Sequence, residues 1–476
     1  MKLARGLRPR RPLLLLLLAA CFALMSLSPT AAAAPADDRP VSTEVSFTGA
    51  DGVRLNGTVF SPRAVGGDRP ALVMVPGAGP GGRSELRDAA ESYARHGVVA
   101  LTYDKRTTGY STLHRDYSLL ADDALAALRL LRDRPGVDRA RTGMWGLSEG
   151  AWAVSLAASR SADVSFVITA GAVGMEPARQ QAWAYGEYLA HAGVSGSLPR
   201  TMQGSFTRQL VGAGLFPEAG YDPVPTWQRV RQPVLAEWGT LDREAAPRES
   251  SRIIARALYR GGNRHCTIRF VPGVRHNLNA TRDDGFDRIS RLPSDYAGFE
   301  AAWIERLSLG LPSRSIGPAP HQQRQTRALP SPHWYDAGQV QLAALCVLAI
   351  GFVGYPLCAL VRRVGKGRDR RVPSLRAARW LSGTGLAVFV GTPVYLLFLA
   401  LTAAGVTGPV LLGRTGPWLA LQLLAVAVVG ATVWTGVSWW HGRARIGRVE
   451  SVRLGLLLAA GLVFVPWGMY WGLLVP

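Results

Sequence analysis

Residues 141–159 read RTGMWGLSEGAWAVSLAAS, and this stretch decides how the rest of the chain is interpreted. Its first seven residues are predicted to form a strand, and the residues from Glu149 onward a helix. Between the two lies Gly146-Leu147-Ser148-Glu149-Gly150, a G-x-S-x-G pentapeptide at a strand-to-helix turn. Such a turn lifts the serine hydroxyl above the sheet, and the flanking glycines, Gly146 and Gly150, avoid clashes that larger residues would cause. The stretch therefore predicts a nucleophile, Ser148, with a glycine-rich structural turn as the alternative.

Predicted strands and helices alternate on both sides of this turn. Residues 45–62 contain Asp51-Gly52 and are typical of a hairpin. A hairpin followed by strand-helix alternation predicts an α/β fold with a doubly wound, mostly parallel sheet, whose active site lies at the carboxyl ends of the strands. Residues 173–230 interrupt the alternation with helical sequence punctuated by Gly and Pro, and they are predicted to form a helical cap.

A serine nucleophile needs a general base, and the base needs an acid that orients it. Asp242 and His276 each follow a predicted strand, so both are expected at the carboxyl ends of the sheet. Their order in the chain, with the serine first, is the order of triads on this kind of sheet. The alternatives are Glu244 for the acid and His265 for the base, although His265 precedes its strand and is therefore expected at the opposite end.

The oxyanion of a tetrahedral intermediate needs two N–H donors aimed at it. We expect one donor to be the backbone amide of Glu149 and the other to be that of Ala78, in the Gly-rich turn at 76–82. A phosphate-binding loop is not indicated, because the turn has no G-K-[ST] sequence. The predicted chemistry requires no metal and no organic cofactor.

Two further motifs carry a resemblance to a known family. Tyr103-Asp104-Lys105-Arg106 and Gly109-Tyr110-Ser111, together with the Gly-x-Ser-Glu-Gly turn, resemble bacterial serine hydrolases of the α/β-hydrolase superfamily over residues 43–310. The resemblance implies hydrolysis of carboxylic esters, thioesters or peptides through a serine acyl-enzyme, with the nucleophile, acid and base named above. Pro76-Gly77 stands where many members carry His-Gly, which leaves the backbone donor in place.

Three functions follow as hypotheses. The first is an exported, membrane-tethered esterase or thioesterase acting on a small-molecule or lipid-like acyl substrate. The second is an aminopeptidase-like enzyme, in which Glu149 or Glu176 would hold the free amine. The third is a non-catalytic membrane protein that binds or transports.

Four cap residues are expected either to line an acyl pocket or to pack in a core: Trp183, Tyr185, Tyr188 and Leu189.

Charge and hydrophobicity together indicate a membrane protein. The net charge is +21, although charged residues make up 18% of the chain and hydrophobic residues 48%. Most of the excess lies in three basic segments, at 1–12, 362–379 and 441–453, each beside an apolar run. This is the pattern of topology charges and excludes a nucleic-acid-binding face.

Four apolar runs after residue 337 contain no Asp, Glu, Lys or Arg, and each is long enough to cross a bilayer. They cover 338–361, 380–403, 417–440 and 454–475. The basic loops between them belong in the cytoplasm, which places the loop near 404–416 outside. We therefore expect a multi-pass protein of the cell membrane with an extracytoplasmic hydrolase domain. The runs carry no charge that would mark an ion path.

The first 36 residues are basic, then apolar, then small, which is the order of a secretory signal peptide. Cleavage is predicted after Ala36, with an uncleaved anchor or lipidation of Cys21 as alternatives. Each of these exports the residues that follow. The predicted organisation is a signal peptide at 1–36, a hydrolase domain at 37–310, a Pro-rich linker at 311–337 and a four-helix membrane domain at 338–476.

Overall fold

The structure is a computed structural model that describes residues 39–63, 66–79, 81–111, 113–287, 289–365 and 375–476. The predicted signal peptide and much of the basic loop at 362–379 lie outside these residues and stay predictions. The main strands are β1 (Val41–Thr48), β2 (Arg54–Ser61), β3 (Arg69–Val75), β4 (Val99–Tyr103), β5 (Val137–Leu147), β6 (Val167–Ala170), β7 (Val234–Gly239), β8 (Cys266–Val271) and β9 (Ser315–Ile316). The α-helices up to residue 310 are α1 (Arg87–Arg95), α2 (Tyr117–Arg132), α3 (Glu149–Arg160), α4 (Pro177–His191), α5 (Ser197–Thr201), α6 (Thr207–Gly212), α7 (Val224–Arg229), α8 (Pro247–Arg260) and α9 (Gly298–Arg306).

Within the described residues, nine strands form one sheet in the order β1-β2-β4-β3-β5-β6-β7-β8-β9. The hairpin β1–β2 is antiparallel, β2 is antiparallel to β4, and the pairs from β4 to β9 are parallel. The order reverses at β3, so the crossover helices cover both faces of the sheet. This confirms the predicted fold class, an α/β fold with a doubly wound and mostly parallel sheet.

Burial on both faces explains the composition of the central strands. Every residue of β4, β6 and β7 is buried, as expected for parallel strands covered by helices on either side. One core packs α2, α3 and α8 against the sheet, and a second packs α1 and α9 against the opposite face. This rigid double layer fixes where the loops at the carboxyl ends of the strands begin.

The segment predicted as a linker lies along the α/β domain formed by this sheet and its helices. Strand β9 extends the sheet beside β8, and Gly317 N donates to Ile268 O at 2.9 Å. Further on, the Thr326 amide donates to Glu249 on α8 at 2.9 Å. The first part of this Pro-rich segment is therefore attached to the surface of the domain that it leaves.

Four candidate spans follow, long and apolar enough to cross a membrane. Their helices are α10 (Gly338–Phe352), α11 (Gly354–Gly365), α12 (Leu375–Leu401), α13 (Gly416–Gly442) and α14 (Arg448–Tyr470). The first span is interrupted between α10 and α11, three residues before Pro356. Proline has no N–H to donate to the carbonyl four residues earlier, Phe352 O. Ser382 Oγ donates to that carbonyl at 2.9 Å, so the neighbouring span satisfies the interrupted helix.

The last span differs from its predicted bounds of 454–475, because α14 starts at Arg448 and ends at Tyr470. Gly472 has a positive φ of 74° and turns the chain out of the helix, a conformation that glycine adopts without strain. The final residues then contact the cap: Thr201 Oγ1 donates to Trp471 O at 3.0 Å, and Arg200 bonds to Pro476 O. Apolar composition gave no indication of this turn.

The cap and the helices of the four candidate spans share a single hydrophobic core, which we call the cap–bundle core. Its cap residues are Tyr185, Tyr188, Leu189, Val194, Leu198, Met202 and Phe206. Polar contacts accompany the packing, since Trp418 Nε1 and Gln422 Nε2 donate to Ser197 Oγ at 3.1 and 3.2 Å. The backbone also contributes, with Ser195 N donating to Gly413 O at 2.7 Å. The four candidate spans therefore support the cap as well as following it in sequence.

We expect Ser197→Ala to destabilise the full chain by about 1–3 kcal/mol, because the buried Trp418 N–H loses its acceptor. Thermal unfolding in detergent measures the effect. Ser308→Ala is the matched control, since Ser308 Oγ bonds to Glu305 O at an exposed position. Equal unfolding temperatures for the two variants would contradict a structural role for the cap–bundle contact.

Candidate active site

The turn between β5 and α3 has the geometry that its sequence predicts. Ser148 has φ 52° and ψ −113°, a conformation that is strained for a residue with a side chain. A Cβ at Gly146 would lie 2.4 Å from Gly150 O, and one at Gly150 would lie 2.3 Å from Val75 O. Glycine is therefore required at both flanking positions. The strained serine is held by its backbone, because Ser148 N donates to Ala170 O at 2.9 Å.

Asp242 and His276 come together at the carboxyl ends of β7 and β8. His276 Nδ1 and Asp242 Oδ2 are 2.9 Å apart, and both side chains are buried. The other oxygen of the acid, Oδ1, accepts from the amides of Glu244 and Ala245, both at 2.8 Å. The Asp242 carboxylate is thus held at both oxygens. Because His276 Nδ1 is bonded to it, Nε2 is the ring nitrogen that can face a reacting group.

The histidine ring and the serine lie beside the same short turn at the end of β6. A Cβ at Gly171 would lie 2.7 Å from Cε1 and Nδ1 of His276, so the ring covers this glycine. The preceding residue, Ala170, accepts the Ser148 amide. Among the described residues, no hydrogen bond joins Ser148 Oγ to His276. The structure therefore pairs Asp242 with His276 and places Ser148 beside the same turn, without a serine–histidine bond.

The pair is electrostatically coupled. Burial disfavours the charged imidazole, but the carboxylates of Asp242 and Glu244 outweigh it and raise the pKa of His276 to about 9. Burial also opposes ionisation of Asp242, and the imidazole with the two backbone amides lowers its pKa below the usual range. Asp242 is thus set up to remain a carboxylate while the histidine gains and loses its proton.

The alternative base, His265, and the alternative acid, Glu244, make other contacts. His265 precedes β8, and its Nδ1 lies 3.0 Å from Pro312 O. Glu244 accepts from Tyr188 OH of the cap at 3.1 Å. Asp242 is the carboxylate on His276 Nδ1, and Glu244 adds negative charge nearby.

The predicted oxyanion donors lie on either side of Ser148. A Cβ at Gly77 would lie 3.6 Å from Ser148 Cβ, so the glycine-rich loop adjoins the serine, and Ala78 follows it. The amide of Glu149 belongs to the first residue of α3, where helical amides have no partner within the helix. In the part of the chain that is described, neither of these two amides donates to the protein. Both are available to a negatively charged oxygen.

The Glu149 side chain is the centre of a buried charge cluster that sequence reasoning missed. Lys105 Nζ lies 3.0 Å from Oε1, Arg115 Nη1 lies 3.0 Å from Oε2, and Tyr110 OH donates to Oε1 at 2.6 Å. Lys105 and Tyr110 belong to the motifs that carry the family resemblance. Their residue types alone did not indicate that they meet a carboxylate 44 and 39 positions further on.

The four cap residues that were predicted either to line an acyl pocket or to pack in a core are buried in cores. Trp183 packs in the main core of the α/β domain, and its Nε1 donates to Arg324 O at 2.9 Å. The other three, Tyr185, Tyr188 and Leu189, belong to the cap–bundle core. Packing is therefore the role that the structure gives them. Across the described ranges, no three His, Cys, Asp or Glu side chains gather in a way that could hold a metal ion.

No protein-family model matches the chain. Its curated relatives include polyketide transferase claH of Penicillium crustosum, 32% identical over 139 residues, which are 28% of this chain and 45% of that protein. Thiohydrolase apmlB of Arthrinium phaeospermum is 33% identical over 132 residues, 27% of this chain and 42% of that one. The chain thus spans less than half the length of these relatives. A solved Pyrobaculum calidifontis esterase aligns with TM-score 0.39 and 15% identity, over 57% of this chain and 87% of its own.

Proposed function

We propose that this protein is an exported, membrane-tethered serine hydrolase that cleaves carboxylic esters or thioesters. The observation that carries the proposal is the buried His276–Asp242 pair beside the strained turn of Ser148. A strained serine next to an oriented histidine is the arrangement that acyl transfer requires. The two free amides next to the serine supply the remaining element, a site for the oxyanion.

In the proposed reaction, Ser148 Oγ attacks the acyl carbon and His276 Nε2 takes the hydroxyl proton. Asp242 holds the imidazole through Nδ1 and stabilises its charge. The oxygen of the tetrahedral intermediate accepts from the amides of Ala78 and Glu149. The intermediate then expels the alcohol or thiol, which takes the proton from His276. Water, deprotonated by the same base, releases the acid and regenerates the serine.

The serine–histidine hydrogen bond belongs, in this proposal, to the complex with substrate. Catalytic hydrogen bonds are often long before substrate binds and tighten in the Michaelis complex. The side chain of His276 is 9% exposed, so a substrate that covers it completes its removal from water. Desolvation strengthens the interaction between the two side chains.

The contacts of the Glu149 carboxylate favour esters and thioesters over peptides as substrates. An aminopeptidase-like site needs a carboxylate that is free to hold the substrate amine, but Glu149 is occupied by Lys105, Arg115 and Tyr110. Glu176, the other candidate, immediately precedes the cap helix α4. Similarity to proteins described as thiohydrolases supports including thioesters.

The membrane location is supported by the cap. It contacts Gly413 and Trp471, and both lie at the ends of the spans that the charge pattern assigns to the outside. On its other side the cap contacts the catalytic loops, since Gln180 Nε2 donates to Glu244 O at 2.6 Å. The site is therefore held close to the membrane surface, where amphiphilic, lipid-like acyl compounds are concentrated.

The test is a substrate panel on the purified full chain in detergent. A p-nitrophenyl ester, an acyl thioester and an amino-acid anilide are compared by kcat/KM. We expect turnover of the ester and the thioester, with the anilide slower by a factor of about 100 or more, because the Glu149 carboxylate is already paired and is not free for its amine. Preference for the anilide would favour the peptidase, and no turnover of any substrate would favour the non-catalytic alternative.

A further inference from the structure

We propose that Lys105 and Tyr110 are positioning residues that hold the oxyanion loop against the nucleophile through the buried carboxylate of Glu149. The inference rests on the proposed function and deepens it, because it assigns residues that set the geometry of the oxyanion site. Neither side chain is proposed to touch the substrate. Their role is to fix where the two amide donors stand.

The residues on either side of Ala78 are both held from outside the loop. The ammonium of Lys105 donates to Gly77 O, and the amide of Gly79 donates to Tyr110 OH at 3.1 Å. The peptide groups before and after the donor residue are therefore fixed by two different side chains. Displacing either one moves the Ala78 amide relative to Ser148.

The loop needs such support because four of its seven residues, 76–82, are glycines. Glycines stand at 77, 79, 81 and 82, and Gly79 has a φ of 110°, a region that other residues rarely adopt. The C-terminal end of the loop is bound to the segment that follows β4, since the Arg83 amide donates to Asp104 at 2.9 Å. The segment that follows β4 thus holds the loop at several points.

One carboxylate connects the loop to the other donor. Lys105 Nζ and Tyr110 OH lie 3.0 and 2.6 Å from Glu149 Oε1, and the backbone amide of Glu149 is the second oxyanion donor. The three N–H groups of the ammonium have three acceptors, the third being Tyr110 OH at 3.2 Å. The two halves of the oxyanion site are therefore parts of one hydrogen-bonded unit.

Stability is a poor explanation for placing these charges inside the protein. The side chains of Lys105 and Glu149 are 2% and 1% exposed, and burying an ion pair costs desolvation energy that often equals its attraction. Burial lowers the pKa of Lys105, while the charge of Glu149 acts in the opposite direction. A buried pair of little net stability that fixes catalytic geometry fits a role in positioning.

The chain provides a matched control in the next residue. Arg106 is also 2% exposed and pairs with the buried carboxylate of Asp123 at 2.7 Å. Its further contacts are Ala50 O and the exposed carboxylate of Asp51, both in the first hairpin. Lys105→Met and Arg106→Met each remove one buried cation from one buried ion pair. A merely structural role predicts similar effects on activity for both.

We expect Lys105→Met to lower kcat by about 10- to 100-fold with KM changed less than about threefold, because losing a whole oxyanion donor costs about 10²–10³-fold. Arg106→Met should lower the unfolding temperature and leave kcat within about threefold. Kinetics on one ester substrate with the full chain in detergent, together with thermal unfolding of each variant, provides both readouts.

Two milder variants keep the test decisive if Lys105→Met does not fold. Lys105→Arg preserves the charge and should retain more activity than Lys105→Met, whereas Tyr110→Phe removes the hydroxyl that bonds Gly79 and should lower kcat at unchanged KM. Equal kcat losses in the Lys105 and Arg106 variants, or full activity in Tyr110→Phe, would overturn the inference. An active Ser148→Ala would instead overturn the proposed function, so the two failures are distinguishable.

Discussion

Replacing Ser148 by alanine is expected to abolish ester hydrolysis, with kcat falling by about 10⁴- to 10⁶-fold. The reason is that no covalent acyl-enzyme can form without the hydroxyl, while the oxyanion amides still give a small residual rate. The fold should persist, because the strained turn is held by backbone bonds from the Ser148 amide and to its carbonyl. Initial rates with a p-nitrophenyl ester measure the loss.

Ser155→Ala is the matched control for this variant. Ser155 is buried on the same helix, α3, and its Oγ donates to Trp152 O at 3.0 Å without contacting the site. We expect its rate to equal that of the wild type. Comparable activity in Ser148→Ala and Ser155→Ala would contradict the assignment of the nucleophile.

Replacing Asp242 by asparagine is the second change with a large expected effect, about 10⁴-fold in kcat. The amide cannot stabilise the imidazolium, and its NH₂ group favours the wrong tautomer of His276.

A shift in the pH dependence of kcat/KM accompanies this loss of activity in Asp242→Asn. His276 acts as a base when neutral, so kcat/KM of the wild type should rise with pH up to its pKa of about 9. Without the Asp242 charge that pKa falls, and the acidic limb moves to lower pH.

Glu244→Gln tests the alternative acid under the same conditions. It removes a carboxylate that raises the pKa of His276 but leaves the Asp242–His276 bond in place. We expect a loss of less than about tenfold and a smaller shift of the limb in the same direction. A severe loss in Glu244→Gln with an active Asp242→Asn would make Glu244 the acid.

The sequence was most informative where local geometry leaves few choices. Gly146 and Gly150 are required by contacts under 2.5 Å, so the turn could be identified from five residues. Asp242 and His276 could be selected because the carboxyl ends of parallel strands meet at one edge of the sheet. The four apolar runs could be located because length and hydrophobicity suffice to define a candidate span.

The features that the sequence did not predict depend on tertiary contacts, which the periodicity of the sequence does not encode. Nothing local to Lys105 indicates that its ammonium meets Glu149, and nothing in the cap indicates that Ser197 meets Trp418 across 221 positions. The same limit applies to Tyr185 and its neighbours, whose aromatic composition fits a pocket and a core equally well. The end of the last span was misplaced because Gly472 turns the chain inside an apolar run.

If Ser148 is a nucleophile activated by His276, it should react covalently with an electrophilic probe of serine hydrolases. The full chain in detergent is treated with a fluorophosphonate, digested and analysed by mass spectrometry, alongside Ser148→Ala. We expect one adduct on the peptide containing Ser148 in the wild type and none in the variant. Absence of labelling in the folded wild type, or equal labelling of both proteins, would contradict it.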